Sequence, residues 1–598
     1  MGVPTLLEVQ EALAGARLGE LPPLRISVLR AVTVEMLEPY LRYHALRAGF
    51  DAKVRFGDYG SVFQEALLDR SPLLSAPLDV ILVFMPVSDL SPAIAAGTIA
   101  PADVEQEVAR VSSAVALAVS GMRRQSDAVI LWHGLEPPLY PALGIRDAQV
   151  AGGQVEAIHR LNAALAAALR AVPDAFLVDM ERCLARVGAD AFYDRRYRLM
   201  ARAPYKPRAL AEIAAEDFKF IRGIRGGAKK CLVLDCDNTL WGGIVGEDGV
   251  GGIKIGQDYP GSAYLDFQNE IVNLHRRGVV LALCSKNNEA DVWEVFETHP
   301  DMLLKRHHFA AWRINWNNKA DNVAELAEEL NLGLDSLVLA DDNPFEIGLL
   351  AQHLPQVATL QLPQARPVEF GELLAGCGLF ETPYFTDEDA KRGAMYRVEA
   401  ERRRERAGAV DLDSYLQSLE VRVEFGFADS RTIARIAQQT QKTNQFNLTT
   451  RRYTEADITR LARSSAHDVL WMRASDRFGD LGAVGTAILA HDGAHARVDT
   501  LLMSCRALGR RLEQAFLDEI VRVARARGAL VIEGEYRPTA KNAQVRTFYQ
   551  DNGFSETDVL GDSRTFLLNV RDYRGGQPSL AAVGHAVRAA AEIGTVSP

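Results

Sequence analysis

The sequence predicts an α/β protein of three domains, and three observations carry that prediction. At 598 residues the chain is too long for one hydrophobic core, because single cores stop growing at roughly 250–300 residues. From residue 24 onward, short apolar runs of β type alternate with longer helical stretches, the pattern of parallel strands covered by helices. Beyond about residue 410 strand-like runs follow one another directly, which calls for an antiparallel or mixed sheet.

Taken in order, the first series places strands at RISVLRAV, AKVRFG, DVILVFMP, DAVILWHG and AFLVDM. Helices are expected over 34–48, 104–122 and 154–171, giving a three-layer α/β domain over 1–222. A second series over 223–380 reads CLVLDCD, a helix at 263–277, VVLALCS, a helix at 290–298, a helix at 320–329, SLVLADD and a helix at 346–353. It is again a parallel sheet under helices. Residues 381–409 are dense in charge (DEDAKR, EAERRRERAG) and read as a helical connector. Over 410–572 come VRVEFGF, VLWMRAS, GAVGTAILAHD, ARVDTLLMS and ALVIEGEY, with the short HDGAH loop marking a hairpin. The Gly- and Ala-rich segment 573–598 is expected to be a flexible tail.

Composition narrows the function classes. With 48% hydrophobic and 24% charged residues the chain is globular, and its net charge of −11 argues against nucleic acid as a partner. The N-terminus lacks a cationic, then apolar, leader, and no run approaches the ~20 apolar residues of a membrane span. The expectation is a cytoplasmic protein without membrane contact. Six cysteines form no CxxC pair, so reduced thiols are expected.

The chemistry concentrates in KCLVLDCDNTLWGG, residues 230–243. An apolar run ends in Asp235 and Asp237, and residues two apart on a strand share a face. Two such carboxylates can hold Mg²⁺, while one attacks a phosphoryl group and the other moves the leaving-group proton. Downstream, VVLALCSKNN ends in Ser285, Lys286 and Asn287, small polar groups suited to phosphate oxygens. Lys319 follows in INWNNKADN, and Asp341 and Asp342 follow SLVLA. All lie at the C-terminal ends of apolar strands or near a helix start, where open α/β sheets bind ligands. Singly, each has an ordinary explanation as a turn, a loop or a solvated lysine; their order is what makes a site.

A second centre lies in SCRALGRRLEQAFL, residues 504–517, followed by NAQVRTFYQDNGF, residues 542–554. A strand feeds a loop with Arg506, Gly509 and Arg510, and a helix starts just after it, so backbone N–H groups could bind a pyrophosphate. Cys505, beside Arg506 and near that helix start, is a candidate acyl acceptor. A small buried strand cysteine is the plainer alternative, and Cys236 and Cys284 compete with it.

The order DxD-N-T, Ser, Lys, DD resembles the haloacid dehalogenase (HAD) superfamily. That resemblance implies Asp235 as nucleophile and Asp237 as general acid/base. Thr239, Ser285, Lys286, Asn287 and Lys319 would hold the phosphoryl group, and Asp235, Asp237, Asp341 and Asp342 would form the Mg²⁺ site. Only one helix is expected between Asp237 and Ser285, so a covering lid has little room and an open site would suit a substrate carried on a protein. The SCRALGRR loop resembles the acyl-CoA signature of GNAT-type acetyltransferases, with Arg511 where the last small residue belongs, which suggests adaptation to another thioester. Arg506, Gly509, Arg510, Asn542 and Tyr549 would then bind CoA or a pantetheine arm.

Together, KCLVLDxDNTLWGG, LCSKNN, INW-x-x-K, LADDNP and a GNAT-like domain with SCR resemble the FkbH-like family, HAD subfamily IIIC. Residues 1–222 resemble the SGNH-hydrolase-like domain of its longer members in shape only. RAVT stands where GDS would be, and DAFYDRRYRL lacks the DxxH histidine, so a non-hydrolytic binding module is expected. The family implies a bifunctional acyltransferase and phosphatase. It would take a phosphorylated three-carbon acyl donor, 1,3-bisphosphoglycerate, remove the phosphate, and load glyceryl onto the phosphopantetheine arm of an acyl carrier protein in polyketide or related biosynthesis. Two other readings stay open: a plain Mg²⁺-dependent phosphatase with partner-recruiting outer domains, and a GNAT N-acetyltransferase with a degenerate HAD domain.

Overall fold

Parallel strands appear wherever an apolar run is followed by a helix long enough to cross back over a sheet. The computed structural model describes residues 4–75, 77–384, 395, 419–477, 479–504, 507, 511–539, 541–560, 562–575 and 581–584. They divide into two compact units, Met1–Arg222 with Thr454–Asp457, and Gly223–Tyr453 with Ile458–Pro598.

In the first unit β1 (Pro23–Arg30), β2 (Asp51–Phe56), β3 (Val80–Phe84), β4 (Val129–His133) and β5 (Ala175–Val178) form a parallel sheet ordered β2-β1-β3-β4-β5. The expected helix at 34–48 runs as α1 (Glu38–Arg47). Proline is tolerated only in a first turn, and Pro39 sits there. In α2 (Val104–Gln125) the residues Val104, Val108, Val111, Val115, Val119 and Met122 are buried, a stripe at three- and four-residue spacing that faces the sheet. A third helix, α3 (Gln154–Arg170), packs beside it. At the end of β4, buried His133 contacts the Val83 carbonyl through Nδ1 and Asp217 Oδ1 through Nε2, each at 3.0 Å. A carbonyl only accepts, so Nδ1 carries a proton, and the second contact holds another between imidazole and carboxylate. Burial pushes Asp217 up, with His133 opposing.

The second unit holds two sheets. The first contains β6 (Cys231–Leu234), β7 (Val280–Ser285), β8 (Phe309–Ile314), β9 (Leu337–Asp341) and β10 (Ala358–Gln361), all parallel, ordered β10-β9-β6-β7-β8. Its helices are α4 (Gly261–Arg276), α5 (Glu289–Thr298), α6 (Lys319–Leu330) and α7 (Pro344–His353). Leu232 and Leu234 join one core and Cys231 and Val233 the other. A strand covered on both faces has no polar alternation, which is why this segment reads as an unbroken apolar run.

The other sheet is mixed, as expected. Strands β11 (Arg422–Phe427), β13 (His467–Asp476), β14 (Gly479–Asp492) and β15 (His495–Met503) pair antiparallel, and two-residue β12 (Phe446–Asn447) pairs with β15. After β15, helix α8 (Leu512–Ala526) leads to β16 (Val531–Tyr536), which lies parallel to β15 only from His495 to Val498. Further on, β15 pairs with β12 instead, so β15 and β16 diverge. The hairpin β17 (Ser555–Leu560) and β18 (Ser563–Asn569) closes one edge. At the other edge β19 (Ala581–Gly584) lies parallel to β11, so part of the expected loose tail is a strand. Most of the expected connector, 385–394 and 396–409, lies outside the described residues. No helix among the described residues is long and apolar enough to cross a membrane.

Candidate active site

Four side chains meet at the C-terminal edge of the parallel sheet in the second unit. Asp235 follows β6, and its backbone N–H donates to the Ala340 carbonyl of β9 at 3.2 Å. Asp341 ends β9 and Asp342 follows it. Lys319 is the first residue of α6, whose start is capped by the Asn318 side chain accepting from the Ala320 N–H. The Lys319 Nζ lies 3.0 Å from Asp235 Oδ1 and 2.6 Å from Asp341 Oδ2. One carboxylate oxygen each from Asp235, Asp341 and Asp342 lies within 4.8 Å of the others. Thr239, fully buried, sets its hydroxyl 3.4 Å from Asp342 Oδ1.

This crowding shows in the titration. Burial, then the Asp235 charge, pushes Asp341 up to about 7 and Asp342 up to about 6. For Lys319 burial works against the charged form, but Asp235 and Asp341 outweigh it and keep the ammonium charged. One cation among three carboxylates leaves negative charge uncompensated in a low-dielectric place. A purely carboxylate donor set is the one hard cations take, so Asp235, Asp341 and Asp342 fit Mg²⁺.

Asp237 does not join them. The expectation that it would emerge beside Asp235 assumed that the strand continued, but β6 ends at Leu234. The chain then turns, with Asn238 in the left-handed region at φ 52° and its Oδ1 accepting from the Gly243 N–H at 3.0 Å. Gly243 itself has φ 98°, where a side chain would be strained. Asp237 Oδ1 accepts from Trp241 Nε1 at 2.9 Å and the Val245 N–H at 3.0 Å, and Oδ2 accepts from Asn287 Nδ2 at 2.8 Å. Asp237 is thus a carboxylate aimed by three donors, not a fourth carboxylate of the metal cluster. Burial raises its pKa against those hydrogen bonds. Just past the turn Gly242 and Lys254 exchange both backbone hydrogen bonds, an isolated antiparallel bridge.

The chain is similar to a phosphatase domain of known structure. That structure is the N-terminal part of the protein BF1531 from Bacteroides fragilis, containing a phosphatase domain and complexed with Mg. It shares 28% identity, covering 64% of this chain and 100% of that one at a TM-score of 0.59. The ribosomal-protein-S18-alanine N-acetyltransferase from Escherichia coli and Ard1 from Thermoplasma volcanium align with 26% and 25% of this chain and 97% of each of theirs. They share 14% and 19% identity at a TM-score of 0.20, too low to inform function. No protein-family model and no curated protein matches the chain.

Of the expected phosphate ligands, Ser285 ends β7 and is buried. Lys286 and Asn287 are engaged elsewhere. The Lys286 ammonium lies 2.7 Å from Glu346 Oε1, and Asn287 holds Asp237. Trp241 was not anticipated as a donor to Asp237, although its four-residue spacing within DNTLW was the available signal.

The expected thioester residues fare differently. Cys505, Arg506, Gly509 and Arg510 lie outside the described residues. Asn542 is fully buried, and its Nδ2 donates to the carbonyls of Asn447 and Arg537 at 2.9 Å each while its Oδ1 accepts from the Thr539 N–H at 2.7 Å. It ties β12 to the turn after β16. Tyr549 packs on Phe554 and Phe566, its hydroxyl buried without a hydrogen-bond partner among the described residues. Of the competing thiols, burial pushes Cys236 well above its ordinary range and Cys284 up to about 12, so neither is a thiolate near neutrality.

A cavity of about 420 Å³ lies between the two sheets of this unit, lined in part by Lys230, Asp335, Ser336, Gln439, Met503 and Ser504. Lys230 precedes β6 and Ser336 precedes β9, so the cavity touches the N-terminal edge of the parallel sheet. The carboxylates stand at the other edge, roughly 16 Å along β6 at about 3.3 Å per residue. The phosphoryl site and this cavity are therefore separate chambers.

Metal affinity should follow the carboxyl titration. With Asp342 at about 6 and Asp341 at about 7, a cation must displace protons from both at pH 5 and from few at pH 8. Mg²⁺ binding is expected to tighten from pH 5 to pH 8 and to release protons near pH 6. Calorimetry in buffers of different ionisation enthalpy measures this, and a pH-independent affinity would contradict it.

Proposed function

We propose that this chain is a Mg²⁺-dependent phosphatase joined to an acyl-transfer domain, of the FkbH-like kind. It would dephosphorylate a phosphoglyceryl species derived from 1,3-bisphosphoglycerate and deliver glyceryl to the phosphopantetheine arm of an acyl carrier protein. The observation that carries the reading is the set of Asp235, Asp341 and Lys319, all buried, with half-buried Asp342 beside them and Asp237 held apart by three hydrogen-bond donors. Bound by Asp235, Asp341 and Asp342, Mg²⁺ would neutralise charge on the transferring phosphoryl group.

An Asp235 oxygen attacks phosphorus and the bond from phosphorus to the leaving oxygen breaks. Asp237 supplies the proton that the leaving oxygen takes. Water then attacks the aspartyl phosphate, giving its proton to Asp237 and releasing phosphate with Asp235 restored. Lys319 stays charged throughout and balances Asp235 and Asp341. Trp316 after β8 and Phe345 after β9 are 70% and 69% exposed, and such apolar surface at the same sheet edge suits a substrate presented on another protein.

Intact-protein mass spectrometry tests the reading directly. The holo carrier, incubated with the enzyme, Mg²⁺ and 1,3-bisphosphoglycerate, is expected to gain a glyceryl group. A carrier that gains no mass overturns it. The separation of the cavity from the carboxylates favours a second reading, a plain phosphatase whose other domains recruit partners. Under that reading Asp235→Asn stops turnover while Cys505→Ala changes nothing.

A further inference from the structure

Several large apolar side chains are exposed at one end of the first unit. Tyr140 is 79% exposed, Ile145 97%, Leu199 79%, Met200 67%, Tyr197 55% and Tyr59 42%. Tyr59 follows β2, Tyr140 and Ile145 follow β4, and the helix Arg195–Ala201 carrying the others follows β5. All three loops leave the C-terminal edge of one parallel sheet. The patch is continuous: the Arg195 guanidinium stacks over Tyr140 at 5.7 Å and that of Arg202 over Tyr59 at 5.2 Å, one at each end of the helix. Arg202 also donates to the Tyr59 hydroxyl at 2.7 Å.

Of the five arginines on this patch, only Arg202 has a carboxylate within ion-pair distance among the described residues, Asp89 at 3.9 Å. No carboxylate among the described residues stands within ion-pair distance of Arg146, Arg195, Arg196 or Arg198, and the Arg196 Nε turns to the Met200 sulfur at 3.4 Å instead. Some other arginines of this unit do find carboxylates, as Arg186 does with Glu212 and Glu216. Four arginines without an ion-pair partner thus gather on one face of a chain whose net charge is −11. Such cations repel one another and leave apolar surface in water, costs that an occupant would offset.

We infer that this face docks an acidic protein surface bearing an apolar ridge, and specifically the acyl carrier protein. The choice of carrier rests on the proposed function; the chemistry of the surface does not. Tyr, Met and Arg are enriched in protein–protein interfaces. Charges at such a surface set the encounter rate and the salt dependence, while the aromatic and aliphatic groups hold the complex. Docking on this unit would make the carrier a bound partner apart from any chemistry on its arm.

The test is binding, read without turnover. An acidic holo acyl carrier protein is titrated by calorimetry into the full chain and into a variant with Arg195→Glu, Arg196→Glu and Arg198→Glu. A second variant, Leu199→Ser with Met200→Ser, removes apolar surface at unchanged charge. Thermal melts of the full chain report that each variant keeps the first unit folded, and activity on p-nitrophenyl phosphate reports the second. The expected result is that the charge reversal raises Kd by at least about tenfold, that added salt weakens wild-type binding, and that the serine variant also binds more weakly. Carrier binding equally to all three proteins overturns the inference, as does no binding to the wild type. Anionic phosphatidylserine vesicles that capture the wild type and lose the charge-reversed variant, with the carrier unbound, overturn it in favour of a membrane surface. Carrier loading by mass spectrometry is a separate readout, so failure of docking and failure of glyceryl transfer can be told apart.

Discussion

Asp235→Asn is expected to lower phosphatase turnover by at least about a thousandfold, roughly 4 kcal/mol in the barrier at 1.36 kcal/mol per tenfold. The amide is nearly isosteric but is a poor nucleophile, and it cannot form a stable acyl phosphate. The substitution also removes one of the three carboxylates that crowd the site. Burial and the Asp235 charge together hold Asp341 and Asp342 above their ordinary range, so without Asp235 both should fall. The metal-free variant should therefore melt no lower than the wild type above pH 7, and Mg²⁺ should bind more weakly. Steady-state assays with p-nitrophenyl phosphate and thermal melts with and without Mg²⁺ measure these effects. Residual turnover within tenfold of the wild type would show that another group attacks phosphorus.

What the sequence revealed of this site was the position of each residue at a strand end. An apolar run bounded by acidic or small polar residues marks a parallel strand and its C-terminal edge, and Asp235, Ser285 and Asp341 all sit there. The sequence concealed which way each side chain turned. Asp237 faces Trp241 and Asn287, and the latter is 50 positions away; Lys286 reaches Glu346, 60 positions away. Periodicity reports local faces, not partners brought together by the fold. The same limit explains Asn542. Its place in NxxxxxFYxxxGF suggested a ligand contact, yet its amide joins the carbonyl of Asn447, 95 positions away, to that of Arg537. The helical boundaries at 104 and 154 were clear because both segments carry strong apolar stripes. The tail strand at 581–584 was not, because nothing in the four residues AAVG names β11 as the partner.

Lys319→Met should be the most disruptive single change in the second unit. Methionine matches the lysine stem in volume, so packing is largely kept and the charge alone is lost. Lys319 is 4% exposed and sits within 3.0 Å of both Asp235 and Asp341. Breaking a buried pair by removing one partner costs about 3–5 kcal/mol, because the remaining charge is stranded. Here the stranded charges are carboxylates, which can escape by taking up protons, and that fixes the sign of the pH dependence. A carboxyl whose folded pKa is raised contributes relative stability at low pH that is lost as pH climbs through the folded value. Asp341 at about 7 and Asp342 at about 6 already lie in that window with the lysine present, and without it they should rise further. The stability loss of the variant should accordingly be small at pH 5 and larger at pH 8. Mg²⁺ should recover part of that loss at pH 8 and little at pH 5, since only the ionised carboxylates hold it. Activity should not return with the metal, because the ammonium that balances Asp235 during transfer remains absent. Melting curves at both pH values, with and without Mg²⁺, decide the matter: a variant that melts like the wild type in all four conditions would mean that Lys319 is not the counter-charge of this site.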